Sequence, residues 1–216
     1  MNRTCKAIQQ SDEMYCAECN MRWDANDMFP PACRRDRPVR TIIGIAGPAG
    51  AGKSTLARHM ALRHGFTVVS LAEPMKHMME ALLDYQDPDQ PWHQWLRTSL
   101  KSEPCNAIDG HTMRHALQTL GTEWGRNIMG EDFWVNTARR RIESIPGNVV
   151  IDDIRFDNET ALCDRVIQMT GRGGIDGNHV SENGVSNWDV QYQNDGSVAE
   201  MRKWFDYVSD IIIRRS

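Results

Sequence analysis

From about residue 40 onward, hydrophobic and polar positions follow two alternating periods. Short apolar, β-branched runs read as strands at residues 41–46 (TIIGIA), 66–71 (FTVVSL), 148–153 (NVVIDD), 165–170 (RVIQMT) and 189–193 (DVQYQ). Stretches with apolar residues three and four apart read as helices. The first is residues 54–64, closed by Gly65. The second is 75–83, entered through Pro74, with Met78, Met79 and Leu82 on the inner side. Further helices are expected over 92–101, from Met113 to a stop at Gly121, from a cap at Asp132 through Trp134 and Val135, and over 158–164. A closing helix runs from an N-cap at Ser197 to about Ile213. Strand–helix alternation without an internal repeat predicts an α/β fold, a mostly parallel sheet flanked by helices.

The first 38 residues lack that pattern. They hold Cys5, Cys16, Cys19 and Cys33, four of the six cysteines, with Pro30-Pro31 and a basic exit at Arg34-Arg35. The expected division is a Cys-rich leader over 1–38 and a nucleotide-handling domain over 39–216. Four thiolates could close a tetrahedral Zn²⁺ site, and binding worth about 10–16 kcal/mol would supply stability that so short a segment lacks. A single C-x-x-C, Cys16 to Cys19, leaves a reduced, partly ordered leader equally open. Trp23-Asp24 and Asp27 before the prolines read as a turn-rich knuckle.

Composition narrows the function classes. A net charge of −4 over 216 residues argues against a protein that coats nucleic acid or an anionic membrane. No apolar run approaches the roughly 18 residues of a membrane span, and the start MNRTCKAIQQ has no signal-peptide pattern. The expectation is a soluble, cytoplasmic protein that acts on small molecules, with homodimerisation left open.

The first strand runs directly into Gly47-Pro48-Ala49-Gly50-Ala51-Gly52-Lys53-Ser54-Thr55, which fits G-x-x-x-x-G-K-[ST] in full. Glycines let the backbone wrap an anion with its N–H groups inward, and the following helix points its positive end at the phosphate. Lys53 reaches the outer phosphates and the Ser54 hydroxyl can ligate Mg²⁺. A dinucleotide fingerprint is the weaker reading, because Ser54 and Thr55 stand where its last glycine would be. The motif predicts a P-loop NTPase-type fold and a nucleoside triphosphate site.

Other segments offer partners for that loop. Residues 148–153 end in Asp152-Asp153, the shape of a Walker B strand; either aspartate could serve the metal, since strand alternation puts one on each face. Arg155 follows within reach of bound phosphates. Lys76 sits at the ligand side of the sheet. Arg114, Gln118, Gly121, Thr122, Arg126 and Trp134 suit a pocket for a second phosphate and a base, because guanidinium forks bind phosphate and an indole gives a flat apolar wall. Arg139-Arg140-Arg141 reads as a solvated face. Residues 171–188, rich in glycine, read as a lid candidate.

Taken together, the phosphate loop, RHALQTLGTEWGR (114–126), Phe133-Trp134-Val135, VIDDIRFDNE (150–159), His179-Val180-Ser181-Glu182 and the final Asn194-Asp195-Gly196-Ser197 resemble the bacteriophage deoxynucleoside monophosphate kinases, over residue 40 to the end. The resemblance implies the P-loop nucleoside monophosphate kinase fold and transfer of the γ-phosphoryl of ATP, with Mg²⁺, to a deoxynucleoside 5′-monophosphate. In a phage-encoded protein the location would be the host cytoplasm. It implies that Gly47, Ala49, Gly50, Ala51, Gly52, Lys53, Ser54 and Thr55 bind ATP and that Lys53, Arg126, Asp153 and Arg155 are catalytic. It also implies that Lys76, Arg114, Gln118, Gly121, Thr122, Arg126 and Trp134 hold the acceptor. Two rivals are another small-acceptor P-loop kinase, of the dephospho-coenzyme A, shikimate or gluconate type, and a nucleic-acid-associated P-loop switch whose leader grips DNA.

Overall fold

The computed structural model describes residues 40–173 and 184–213 throughout and, within the first 39, the backbone of three strands. The chain divides into two units, Met1–Arg40 and Thr41–Ser216. In the first, β1 (Ala7–Gln10), β2 (Glu13–Cys16) and β3 (Arg22–Asp24) form an antiparallel sheet in the order β1-β2-β3. Trp23 and Asp24, expected in a turn, lie in β3 opposite Met14 and Glu13. The expected zinc set lies outside the described residues: Cys5, Cys19 and Cys33 are not among them, and of Cys16 only the backbone is.

The second unit carries a five-stranded, wholly parallel sheet in the order β5-β6-β4-β7-β8. Its strands are β4 (Ile42–Ala46), β5 (Thr67–Val69), β6 (Val149–Ile154), β7 (Arg165–Thr170) and β8 (Val190–Gln193). The three inner strands, β6, β4 and β7, are the most continuously apolar, as burial on both faces demands; β5 and β8 are edges and more exposed.

Helix α1 (Lys53–His64) and the closing helix cover one face of the sheet, where Leu56, Met60, Met201 and Phe205 pack on Ile43, Ile45 and Ile167. A helix over Phe133–Glu143 covers the other, setting Val135, Ala138 and Ile142 against Val149 and Ile151. A third cluster is built by α2 (Glu73–Gln86), α3 (Trp92–Arg97) and α4 (Met113–Thr119), through Met79, Leu83, Trp92, Leu96 and Met113. The helix on the second face is α5; a single-turn α6 (Asp157–Thr160) follows β6, and α7 (Val198–Ile213) closes the chain. This is a P-loop-type α/β fold.

Four expected elements differ. In α2 the inner row is Met75, Met79 and Leu83, spaced by four, whereas Met78 and Leu82 are 44% and 50% exposed on its flank. The helix expected over 92–101 ends at Arg97. Thr98 redirects it: its hydroxyl donates to the Gln94 carbonyl and accepts from the Leu100 N–H, starting a 3₁₀ turn over Ser99–Ser102. The helix expected over 158–164 is shortened to α6. Gly121 does not stop α4: the chain continues as a π-helix over Leu120–Met129 and ends at Gly130. Such wide turns are rare and gather at functional sites. Of the lid candidate, residues 174–183, including His179-Val180-Ser181-Glu182, lie outside the described residues.

Gly44 shows how tightly the sheet is backed. A Cβ there would fall 2.6 Å from the Cys163 sulfur and 3.0 Å from Ile154 Cγ1. Gly44→Ala is therefore expected to lower stability by about 1–3 kcal/mol in denaturant unfolding. Adding Cys163→Ala, which removes the sulfur, should recover part of that loss as a positive coupling in a double-mutant cycle.

Candidate active site

The turn between β4 and α1 is shaped by glycines. Gly47, Gly50 and Gly52 have φ of 139°, 81° and 97°, in the region side chains avoid. There is no space behind the turn either: a Cβ on Gly47 would meet the Met169 carbonyl oxygen at 2.5 Å, and one on Gly52 the Asn194 amide nitrogen at 2.7 Å. Lys53 Nζ folds over the loop and donates to the Gly47 and Pro48 carbonyls at 2.7 and 2.8 Å. Asn194, directly after β8 and 5% exposed, donates through Nδ2 to the Ala51 carbonyl at 2.8 Å. This bond ties the loop to the far edge of the sheet.

Ala49, Gly50, Gly52, Lys53, Ser54 and Thr55 line a cavity of about 480 Å³, within the usual range for small-molecule sites. Gly47 and Ala51 stand behind it, packed on Met169 and held by Asn194.

β6 runs beside β4, so its carboxyl end meets the start of α1. The carboxylate beside Ser54 is Asp152, whose Oδ2 accepts the Ser54 hydroxyl at 2.8 Å. Asp153, one residue on, points to the other side. There its two oxygens accept from the Ser70 hydroxyl and the Leu71 and Ala72 N–H groups at 2.6–3.0 Å. Of the two aspartates left open by the sequence, Asp152 is the one that faces Ser54, and Asp153, expected to be catalytic, organises the turn from β5 into α2. Burial, and then the neighbouring Asp153 charge, push the Asp152 carboxyl up, while Ser54, Lys76 and Lys53 pull it down. A hydroxyl and a crowded carboxylate are hard oxygen donors, and a divalent cation would offset the repulsion between Asp152 and Asp153; the Ser54–Asp152 pair fits Mg²⁺.

The cavity continues between α2, α4 and the π-helix. Lys76, Arg114, Gln118, Gly121, Thr122, Arg126, Trp134, Asp153 and Arg155 all line it, so the structure gathers the expected acceptor residues into the same space as the loop. Lys76 is held by Glu73 at 3.0 Å, and Glu73 also accepts from Arg97 at 2.6 Å. Burial raises the Glu73 carboxyl, but Arg97 and Lys76 outweigh it and hold it below its ordinary value. The Trp134 indole donates to the Gly121 carbonyl at 2.9 Å. Gly125 lets the π-helix press on that ring, for a Cβ there would overlap the indole nitrogen.

Arg126 is tightly held. Its side chain is 10% exposed and its guanidinium carbon lies 3.9 Å from the centre of the Phe156 ring. Nη2 donates to Asn158 Oδ1 at 3.0 Å, while the buried Nη1 has no hydrogen-bond partner. Nη1 stands 3.8 Å from Glu159 Oε1. Glu159 reaches back from the first turn of α6 and accepts the Arg155 and Phe156 N–H groups at 2.7 and 3.1 Å. Burial pushes its carboxyl up to about 7, against the pull of those two N–H groups and Arg126.

Phe156, Glu159 and Asn194 entered the sequence reading only as members of longer motifs, with no role assigned to any of them. Phe156 could not be singled out, because a cation–π partner has no fixed spacing. Glu159 had a signal, in its place three residues after the helix entry.

No protein-family profile matches the chain. The chain is 28% identical to a protein of Acanthamoeba polyphaga mimivirus named "Putative deoxynucleotide monophosphate kinase"; the alignment spans 182 residues, 74% of this chain and 91% of the viral one. Among solved structures, a cysteine-to-alanine mutant of the APS kinase of Mycobacterium tuberculosis aligns with 80% of this chain and 99% of its own, at 15% identity and a TM-score of 0.37. The Thermus thermophilus protein TT1252 aligns with 80% of this chain and 98% of its own, at 17% identity and a TM-score of 0.42.

Asn194→Ala would leave the Ala51 carbonyl buried and unpaired, at a cost of about 1–3 kcal/mol. The expected result is a lower unfolding midpoint together with weaker ATP binding by calorimetry. Glu159 gives a pH signature. Its folded value of about 7 lies above the ordinary 4.5, so the folded state binds the proton more tightly. Its contribution is full below pH 4.5 and is lost as pH rises through 7, a swing of up to about 3 kcal/mol. Glu159→Gln should flatten the stability profile across that window.

Proposed function

We propose that the protein transfers the γ-phosphoryl group of ATP to a deoxynucleoside 5′-monophosphate, releasing ADP and the diphosphate. The observation that carries this reading is the buried, unsatisfied Nη1 of Arg126, which lines the same cavity as the phosphate loop. A guanidinium nitrogen withdrawn from water without a hydrogen bond is costly, and a phosphate oxygen is a partner that makes it favourable. The loop offers a place for one phosphate chain and Arg126 for a second phosphate. The name carried by the mimiviral relative favours a deoxynucleotide as the bearer of that second group.

On this reading the backbone of residues 49–52 and Lys53 hold the donor phosphates, and Lys53 offsets charge on the moving group. Arg126, with Arg114 and Arg155 on the same cavity, presents the acceptor phosphate, while Gln118, Thr122 and the Trp134 indole border the nucleoside. Ser54 and Asp152 would hold Mg²⁺, which when bound neutralises phosphate charge. Asp153 acts on the turn over Ser70–Ala72 that forms one wall. Phosphoryl transfer asks little covalent chemistry of a protein, so alignment and charge carry the rate. Leu71, Met75, Leu96 and Leu117 add apolar surface for a base.

Lys53→Ala is expected to abolish ADP formation while the unfolding midpoint stays near that of the parent. Arg126→Ala is expected to lower kcat/KM for the monophosphate by about 10³-fold or more, with ATP binding retained. A coupled assay of the four deoxynucleoside monophosphates and their ribose counterparts, with ATP and Mg²⁺, reads both. Turnover by none of them would overturn the reading.

A further inference from the structure

A second group of ligating side chains lies between α1 and α7. His59 and His64, both on α1, direct Nε2 at the same atom, Oδ1 of Asp206 on α7, at 2.6 and 2.8 Å. The three atoms lie within 4.8 Å of one another, and this is the one such His/Cys/Asp/Glu group among the described residues. None of the three lines the nucleotide cavity.

We propose that His59, His64 and Asp206 form a structural binding site for a divalent transition cation of the Zn²⁺ class, independent of the Mg²⁺ of the nucleotide site. Two imidazoles and one carboxylate are a donor set that Zn²⁺, Co²⁺ and Ni²⁺ favour, and Mg²⁺ does not. The rings are already oriented: each stands edge-on to Phe205, with centroids 6.4 and 5.1 Å away, and the two imidazoles are themselves edge-on at 5.7 Å. His59 is buried at 7% exposure, whereas Asp206 is 46% exposed and gives the ion a route in and room for water ligands. Bonds of about 2.0–2.2 Å place neighbouring ligand atoms roughly 3 Å apart or slightly more. From 2.6 and 2.8 Å, the half-exposed Asp206 would back away by a few tenths of an ångström to reach that spacing from each ring.

The position gives the site a purpose. α1 starts at the phosphate loop, and Asn194, just before α7, braces that loop at Ala51. A cation at the far end of α1 would fix the same helix to α7, so that the frame behind the loop is held at two points. The leader cysteines could also take such an ion, and the test separates them by ligand chemistry.

Metal-stripped full-length protein is titrated with Co²⁺ and followed by visible absorption. Thiolate ligation adds an intense sulfur-to-cobalt charge-transfer band; imidazole and carboxylate ligation gives only the weaker d–d bands. The expected result is a d–d spectrum without a sulfur band, saturating at one ion per chain, kept in Cys16→Ser/Cys19→Ser and lost in both His64→Ala and Asp206→Asn. Zn²⁺ should raise the Tm of the parent but not of those two variants. Asp206→Asn keeps a hydrogen-bonding oxygen, so it separates ligation from simple loss of the helix contact. Unchanged Co²⁺ spectra in both variants, or no d–d band in the parent, would overturn the proposal.

Discussion

Parallel pairing of β4 with β6 is the constraint on which the rest of the structure depends. β4 delivers the chain into the glycine turn, and β6 delivers two carboxylates to the same edge of the sheet. Were any strand placed between them, about 4.8 Å of extra separation would open between Ser54 and Asp152, and the hydroxyl–carboxylate pair could not form. The same adjacency explains the opposed duties of Asp152 and Asp153. Alternation sends one toward α1 and the other toward the β5–α2 turn, so two successive residues organise two different walls of one cavity.

The second organising feature is electrostatic. The chain is net negative at −4, yet the cavity is lined by Lys53, Lys76, Lys101, Arg114, Arg126 and Arg155 against Asp152, Asp153 and Glu159. Screening confines exposed charges to about 8–10 Å, so the acidic exterior does not cancel this local excess. Glu159 and Phe156 limit the cost of burying Arg126, one by charge at 3.8 Å and the other by its ring face, without consuming Nη1. A fully hydrogen-bonded arginine would be more stable but would have no N–H left to offer.

Much of this was legible in the sequence because the responsible signals are local. The glycine turn announces itself in nine residues, and the inner strands betray their burial by apolar continuity. Features set by packing between distant segments were not. The π-helix carries Gly121 through a position that local propensity reads as a stop, because the Trp134 indole, thirteen residues on, binds the Gly121 carbonyl. In α2 Met79 lies inside as its spacing predicts but Met78 and Leu82 do not, since burial there is decided by the neighbours α2 meets. The choice between Asp152 and Asp153 needed the strand order, which composition does not encode.

Asn194 shows why the closing residues belong to the site although they do not line it. The P-loop can wrap an anion only if its carbonyls are turned outward and satisfied elsewhere, for any carbonyl facing inward would repel the phosphate. At Ala51 that duty falls to a side chain carried by the opposite half of the domain, 143 positions away and buried. Arg172 adds a second tie, donating to the Gly196 carbonyl at 2.8 Å, and Gly173 lies so close to the loop that a Cβ would sit 2.3 Å from the Ala49 carbonyl oxygen. The segments that follow β7 and β8 thus close around the back of the turn. The shape of that turn is a property of the whole sheet rather than of the glycine motif alone.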